Sequence, residues 1–283
     1  MSINRIMNQK SKRSIGMITD VGKVRPVDED SILAADLSFG INSESNNFLL
    51  LAVADGMGGH AKGEEASKIA LNTIAKTVIP ELNDDVPYTQ LLDQGIKNAN
   101  QAILDYTVQH PEAKGMGTTA VCAVVKDDNV HLVNLGDSRA YVISNDEIRR
   151  VTKDHSLVQQ LVDQGIITDE EARTHPQNNQ ISKAIGANVD IEPDTMRLKL
   201  ASDENLLLCC DGVIAHLTDE DIHKTIIESP DPDTACQNIV NLANERGGSD
   251  NISLIILSPE DNCDSKQIET ESSDDDEKTK MIG

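Results

Sequence analysis

The stretch "TAVCAVVKDDNVHLVNLGDSRAYVI", residues 119–143, holds three apolar runs broken at 127–129 and 136–138 by Asp, Asn, Gly and Ser. Each run has the length of a strand, and each break holds residues that tolerate tight turns. The stretch therefore reads as consecutive antiparallel strands over 119–126, 130–135 and 140–144. Outward from it, runs rich in Val, Ile and Leu predict further strands at 14–19, 31–35, 48–54, 206–210 and 252–257. Helical periodicity predicts helices at 63–78, 88–109, 156–164, 219–229 and 233–245, with Pro80, Pro87 and Pro111 punctuating the first two. Helices come in groups and strands come in groups, so a layered α+β fold is expected rather than βαβ alternation. Residues 154–186 interrupt the strand pattern with a short helix, the polar "THPQNNQ" and a return at "SKAIG". An excursion of that length reads as a flap over a site.

The 283-residue chain is 38% hydrophobic, with no Trp and two Phe, so its core is aliphatic. No apolar run approaches the ~20 residues of a membrane-spanning helix. The basic start "MSINRIMNQKSKRSIGM" lacks the apolar stretch of a secretory signal. Five cysteines without a CxxC pair suit a reduced, cytoplasmic setting. A formal charge of −23 argues against nucleic acid as partner. Residues 260–283, with nine acids against three lysines and no apolar period, are expected to be a disordered tail. The rest of the excess lies in the globular part, where carboxylates gathered around cations would account for some of it.

Five acidic places share a strand-end or tight-turn context: "RPVDED" (Asp28, Glu29, Asp30), "ADGMGG" (Asp55), "LGDSRAY" (Asp137), "LLLCCDG" (Asp211) and "GGSDNISLIIL" (Asp250). Any one of them reads as a turn or cap. Several in matching positions point to a ligand set for hard divalent cations, which take oxygen ligands. Gly56, after Asp55, bares its backbone to a close neighbour. Arg25 stands four residues before Glu29, where it either makes a surface ion pair or grips a phosphate beside the cations.

"TDVGKVRPVDEDS", "AVADGMGGHAKGEEAS", "GMGTTAV", "NLGDSRAYVI", "TKDHSLVQQLVDQGIITDEEA", "LLLCCDG" and "SDNISLIIL", in this order, resemble the type-2C metal-dependent Ser/Thr protein phosphatases, bacterial members above all. The likeness runs from about residue 14 to 258. It implies a four-layer α-β-β-α sandwich, two antiparallel sheets flanked by helices, with a catalytic domain over 14–259 between an N-terminal extension (1–13) and the tail. It implies a centre of two Mn²⁺ or Mg²⁺ ions, with a third at a weaker position. Asp55 would bridge the pair. The Gly56 carbonyl, with Glu29 or Asp30, would serve one ion, and Asp211 and Asp250 the other. Asp137, with Asp211, would match the third. Arg25 would bind the substrate phosphate, and Thr118 of the matching "GTT" would line the cleft. The activity implied is hydrolysis of phosphoserine and phosphothreonine in proteins by a metal-activated water, opposing a Ser/Thr kinase, in a monomer.

The pattern departs at Met57, where many eukaryotic relatives carry His; the nearby His60 is then either a proton donor or a cap for the next helix. Asp28 stands where relatives commonly have Asn. The flap has Asn178 and Lys183 at positions that are often Arg, so it is less basic. Two other classes stay open: a catalytically dead phospho-binding scaffold, which loss of Asp55, Asp211 or Asp250 would have favoured, and a phosphatase for small phosphoesters.

Overall fold

The computed structural model describes residues 13–41, 44–58 and 62–259. The tail, most of the N-terminal extension, His60 and Cys263 lie outside the described residues. Two five-stranded antiparallel sheets carry the fold. One has the order β1 (Arg13–Asp20), β12 (Ile252–Pro259), β11 (Asn205–Cys209), β8 (Arg139–Ile143), β9 (Ile148–Arg150). The other runs β10 (Asp194–Lys199), β7 (Asn129–Leu135), β6 (Ala120–Lys126), β3 (Glu44–Ala54), β2 (Ser31–Ile41).

Alternation along the strands explains the layers. In β3, Leu51 and Val53 join the core shared with the other sheet, while Phe48, Leu50, Ala52 and Ala54 join the core under the helices. In β6, Val121, Ala123 and Val125 face the first way, and Ala120, Cys122 and Val124 the second. Both faces are covered, so these strands read as unbroken apolar runs. Helices α1 (Lys62–Val78) and α2 (Tyr88–Gln109) cover one sheet through Ala66, Ala70, Ile74, Leu92, Ile96 and Ile103. On the far side α5 (Asp211–His216), α6 (Asp219–Glu228) and α7 (Pro232–Glu245) cover the other, through Val213, Ile222, Ile239, Val240 and Ala243. The expected α-β-β-α sandwich is the observed architecture.

The flap contains two helices where one was expected: α3 (Leu157–Asp163), capped by Ser156, and α4 (Asp169–Arg173), closed by a Thr168–Glu171 capping box. Its return segment is stitched to the body by an isolated bridge: Ile185 N–H donates to Thr118 O at 2.9 Å, and Thr118 N–H to Ile185 O at 3.0 Å. The short strands β4 (Gly56–Met57) and β5 (Gly117–Thr118) pair beside this seam.

The four cysteines among the described residues are buried free thiols. Among those residues no helix is long and apolar enough to cross a membrane.

Candidate active site

Strand register gathers the acidic places. In one sheet Ser31 lies opposite Ala54, so the residues just outside the ladder, Asp30 and Asp55, emerge together. In the other, Asp20 pairs with Ile252 and Cys209 with both Leu254 and Arg139, so Asp211, Asp250 and Asp137 leave at one edge. All these ends lie at one end of the sandwich.

Asp55 is held through its backbone. Its N–H donates to Thr119 Oγ1 at 3.0 Å, and its carbonyl accepts from Thr119 N–H at 2.9 Å and from the Thr118 hydroxyl at 2.8 Å. Thr119 Oγ1 lies 2.7 Å from Ser138 Oγ, so a buried hydroxyl pair couples the Asp55 backbone to the neighbour of Asp137. Thr118 is fully buried with its hydroxyl committed to backbone carbonyls. This corrects the expectation that it lines the cleft: it stands behind Asp55 and fixes it. Neither Thr119 nor Ser138 stands out in the sequence as a site residue, although they lie in "GMGTTAV" and "NLGDSRAYVI".

Gly56 and Gly63 let two chain segments touch. A Cβ on Gly56 would come within 2.1 Å of Gly63 O and 2.4 Å of Glu29 O. One on Gly63 would lie 2.6 Å from Gly56 O and 2.7 Å from Glu29 Oε1. The Gly56 carbonyl and the Glu29 carboxylate therefore crowd the same point, and Glu29 Oε1 also accepts from Gly63 N–H at 3.2 Å. Asp30 turns inward to Ser253 and Cys210. Gly212 allows Asp211 to start α5 against the last strand, since a Cβ there would meet Asn251 O at 1.9 Å.

Burial pushes the Asp30 carboxyl up to about 7. Burial, then the charges of Asp211, Asp30 and Asp137, hold Asp55 well above the carboxylate range. Burial and the Asp211 charge do the same for Asp137, and burial raises Asp211 and Glu29. Asp30 Oδ2, Asp137 Oδ1 and Asp211 Oδ1 are buried and have no hydrogen-bond partner. Unpaired buried carboxylates cost several kcal/mol each. No three acidic, His or Cys side chains among the described residues close into a ready-made metal cage. The fit to cations rests instead on these orphaned oxygens and on a donor set made only of oxygen, which suits hard divalent ions.

A cleft of about 690 Å³ opens beside this cluster. Asp137, Asp211 and Asp250 form one wall; Ser156, Val158, Arg173 and Asn178 of the flap form the other. Lys183 is turned away, its Nζ donating to Glu192 O at 3.2 Å. The flap begins at a buried ion pair, with Arg139 Nη2 2.6 Å from Asp154 Oδ2. Arg25 lies at the rim, half-exposed, its Nη2 donating to Asp250 Oδ2 at 2.7 Å.

The family profile described as Protein phosphatase 2C matches residues 32–240. The serine/threonine protein phosphatase PstP of Mycobacterium tuberculosis (strain CDC 1551 / Oshkosh) is 35% identical over 241 residues, 84% of this chain but 43% of that protein. The chain thus spans less than half the length of that relative. The serine/threonine phosphatase stp of Listeria monocytogenes serotype 4b (strain F2365) is 31% identical over 242 residues, 84% of this chain and 93% of that one. The crystal structure of the PstP catalytic domain in complex with two manganese ions superposes with a TM-score of 0.75 at 32% identity, covering 87% of this chain and 97% of that chain. The chain belongs to the protein phosphatase 2C family.

Proposed function

We propose that this protein hydrolyses phosphoserine and phosphothreonine in proteins with two divalent cations, Mn²⁺ or Mg²⁺, and a third at a weaker position. The observation that carries the reading is one end of the sandwich where five strand-end aspartates meet, three of them with orphaned buried oxygens, beside a half-exposed arginine. The two manganese ions of the PstP structure support the count. When bound, such ions neutralise phosphoryl oxygens and acidify water near neutral pH.

The chain's own residues divide the rest of the work. Asp55, fixed by Thr118 and Thr119, would be shared by two cations. The Gly56 carbonyl and Glu29 would serve one, Asp211 and Asp250 the other, and Asp137 with Asp211 the third, with Asp30 supporting from behind. Arg25 holds the phosphoryl oxygens by charge-assisted hydrogen bonds and orients the phosphorus for in-line displacement. His60 is retained as a candidate proton donor to the leaving alkoxide. No thiol is needed: burial pushes Cys122, Cys209 and Cys236 up to about 12, and Cys210 is raised as well. A Ser/Thr kinase and its substrates are the proposed partners, with the protein acting as a cytoplasmic monomer.

The intact acidic set speaks against a dead scaffold. A phosphopeptide panel set against small phosphoesters at saturating Mn²⁺ tests the substrate class. Preference for phosphothreonine and phosphoserine peptides is expected; turnover confined to small phosphoesters would overturn it.

A further inference from the structure

We infer that Asn251 is a positioning residue that clamps the loop carrying Arg25 and Glu29, and so sets the grip on substrate phosphate. This inference rests on the function proposed above.

Asn251 is 4% exposed, and its amide is fully used by one segment. Its Oδ1 accepts from Glu29 N–H at 2.9 Å. Its Nδ2 donates to Val21 O and Val27 O, each at 3.0 Å. These three partners bracket Arg25 on both sides. The loop between them has no ladder of its own, lying between the end of β1 and the start of β2. Two further contacts reach the same region: Lys23 N–H donates to Gly248 O at 2.8 Å, and Gly22, at φ 76°, passes so close that a Cβ would meet Asp250 O at 2.2 Å. Asn251 also follows Asp250 directly, and its own N–H donates to Asp250 Oδ1 at 2.9 Å. One side chain thus refers the loop that grips phosphate to the acidic cluster. Aspartate in its place would keep the acceptor toward Glu29 but lose both donations, and alanine would lose all three.

The chain geometry makes the clamp specific to Arg25. Glu29 has a second anchor, the Gly63 N–H, and is followed by a strand. Arg25 is half-exposed, and among the described residues its side chain hydrogen-bonds to Asp250 alone. Its position therefore depends on the backbone from Val21 to Val27. Loosening that backbone spreads the guanidinium over more positions and weakens an interaction that needs orientation.

The test is a double-mutant cycle with inorganic phosphate as competing ligand, at saturating Mn²⁺. Asn251→Ala and Asn251→Asp should each raise KM for a phosphothreonine peptide, and the inhibition constant of phosphate, by on the order of tenfold, with a smaller fall in kcat. Combined with Arg25→Ala, neither should raise KM beyond the Arg25→Ala value, because the clamp acts through that arginine. Additive effects in the double variants, or wild-type KM in both single variants, would overturn the inference. If both variants fail to fold, amide exchange in the wild-type protein decides: the Glu29 N–H should be protected as strongly as strand amides, and free exchange there would refute the clamp. Wild-type protein inert on every phosphopeptide would instead refute the function itself.

Discussion

Arg25 Nη2 donates to Asp250 Oδ2 at 2.7 Å, joining the loop after β1 to the turn before β12 across 225 positions of sequence. Neither partner is buried, so the pair adds little to stability. Its meaning is placement, a cation beside a carboxylate expected to hold a metal.

Arg25→Ala should raise KM for phosphopeptide and lower kcat, reducing kcat/KM by roughly 10- to 100-fold, the loss of about 1.5–3 kcal/mol of charge-assisted hydrogen bonding. Mn²⁺ affinity should not fall, because the substitution frees an oxygen of Asp250. Steady-state kinetics and calorimetric Mn²⁺ titration read both. Wild-type constants would return Arg25 to the role of a surface ion pair.

Asp55→Asn should abolish turnover and remove Mn²⁺ from two positions, whereas Asp137→Asn should leave the two-ion core occupied. Asp55 lies among Asp211, Asp30 and Asp137, while Asp137 approaches the cluster from the β7–β8 turn. Calorimetric titration of each variant gives the stoichiometry, and equal loss of sites in both would overturn the assignment.

Metal affinity should rise with pH. The buried carboxyls Asp30, Asp55, Asp137 and Asp211 all ionise above their ordinary range, Asp30 at about 7. In the unfolded chain they ionise near ~4. The folded protein therefore binds more protons between about pH 4 and 7, so their favourable share of stability is complete below that window and is lost as pH rises through it. Cations favour the ionised forms and reverse the loss. Mn²⁺ binding should release protons, and its gain in Tm should be larger at about pH 7.5 than at about pH 5.5. Titration in two buffers of different ionisation enthalpy measures the release directly; none at about pH 6 would contradict the account.

Gly63→Ala should damage metal binding more than stability. The new Cβ would press on Gly56 O and Glu29 Oε1, at 2.6 and 2.7 Å. Mn²⁺ affinity is expected to fall about tenfold or more, with a Tm loss of a few degrees from overpacking. A variant with wild-type Mn²⁺ affinity would show that these two oxygens do not share an ion.

The two sheets were legible because their central strands are buried on both faces and read as continuous apolar runs. Strand β10 escaped notice: only Met196 and Leu198 of "DTMRLK" pack on the core, too few to stand out. The α5 helix was hidden because "DGVIAH" has Gly and two β-branched residues, so the segment is helical through its fit against Asn251 rather than by propensity. Among the site residues, the aspartates announced themselves by ending or starting strands. Asn251, Thr119 and Ser138 did not, since an uncharged side chain that orders a loop shows its purpose only when the distant partners are in place.

The central claim is that bound divalent cations, held by the strand-end carboxylates, are required for phosphoprotein hydrolysis. The most direct test is phosphate release from a phosphothreonine peptide by chelator-stripped protein, with Mn²⁺ added back in steps, for wild type and Asp55→Asn together. No release without metal, recovery in wild type and none in Asp55→Asn are expected; full turnover by the stripped wild-type protein would contradict the account.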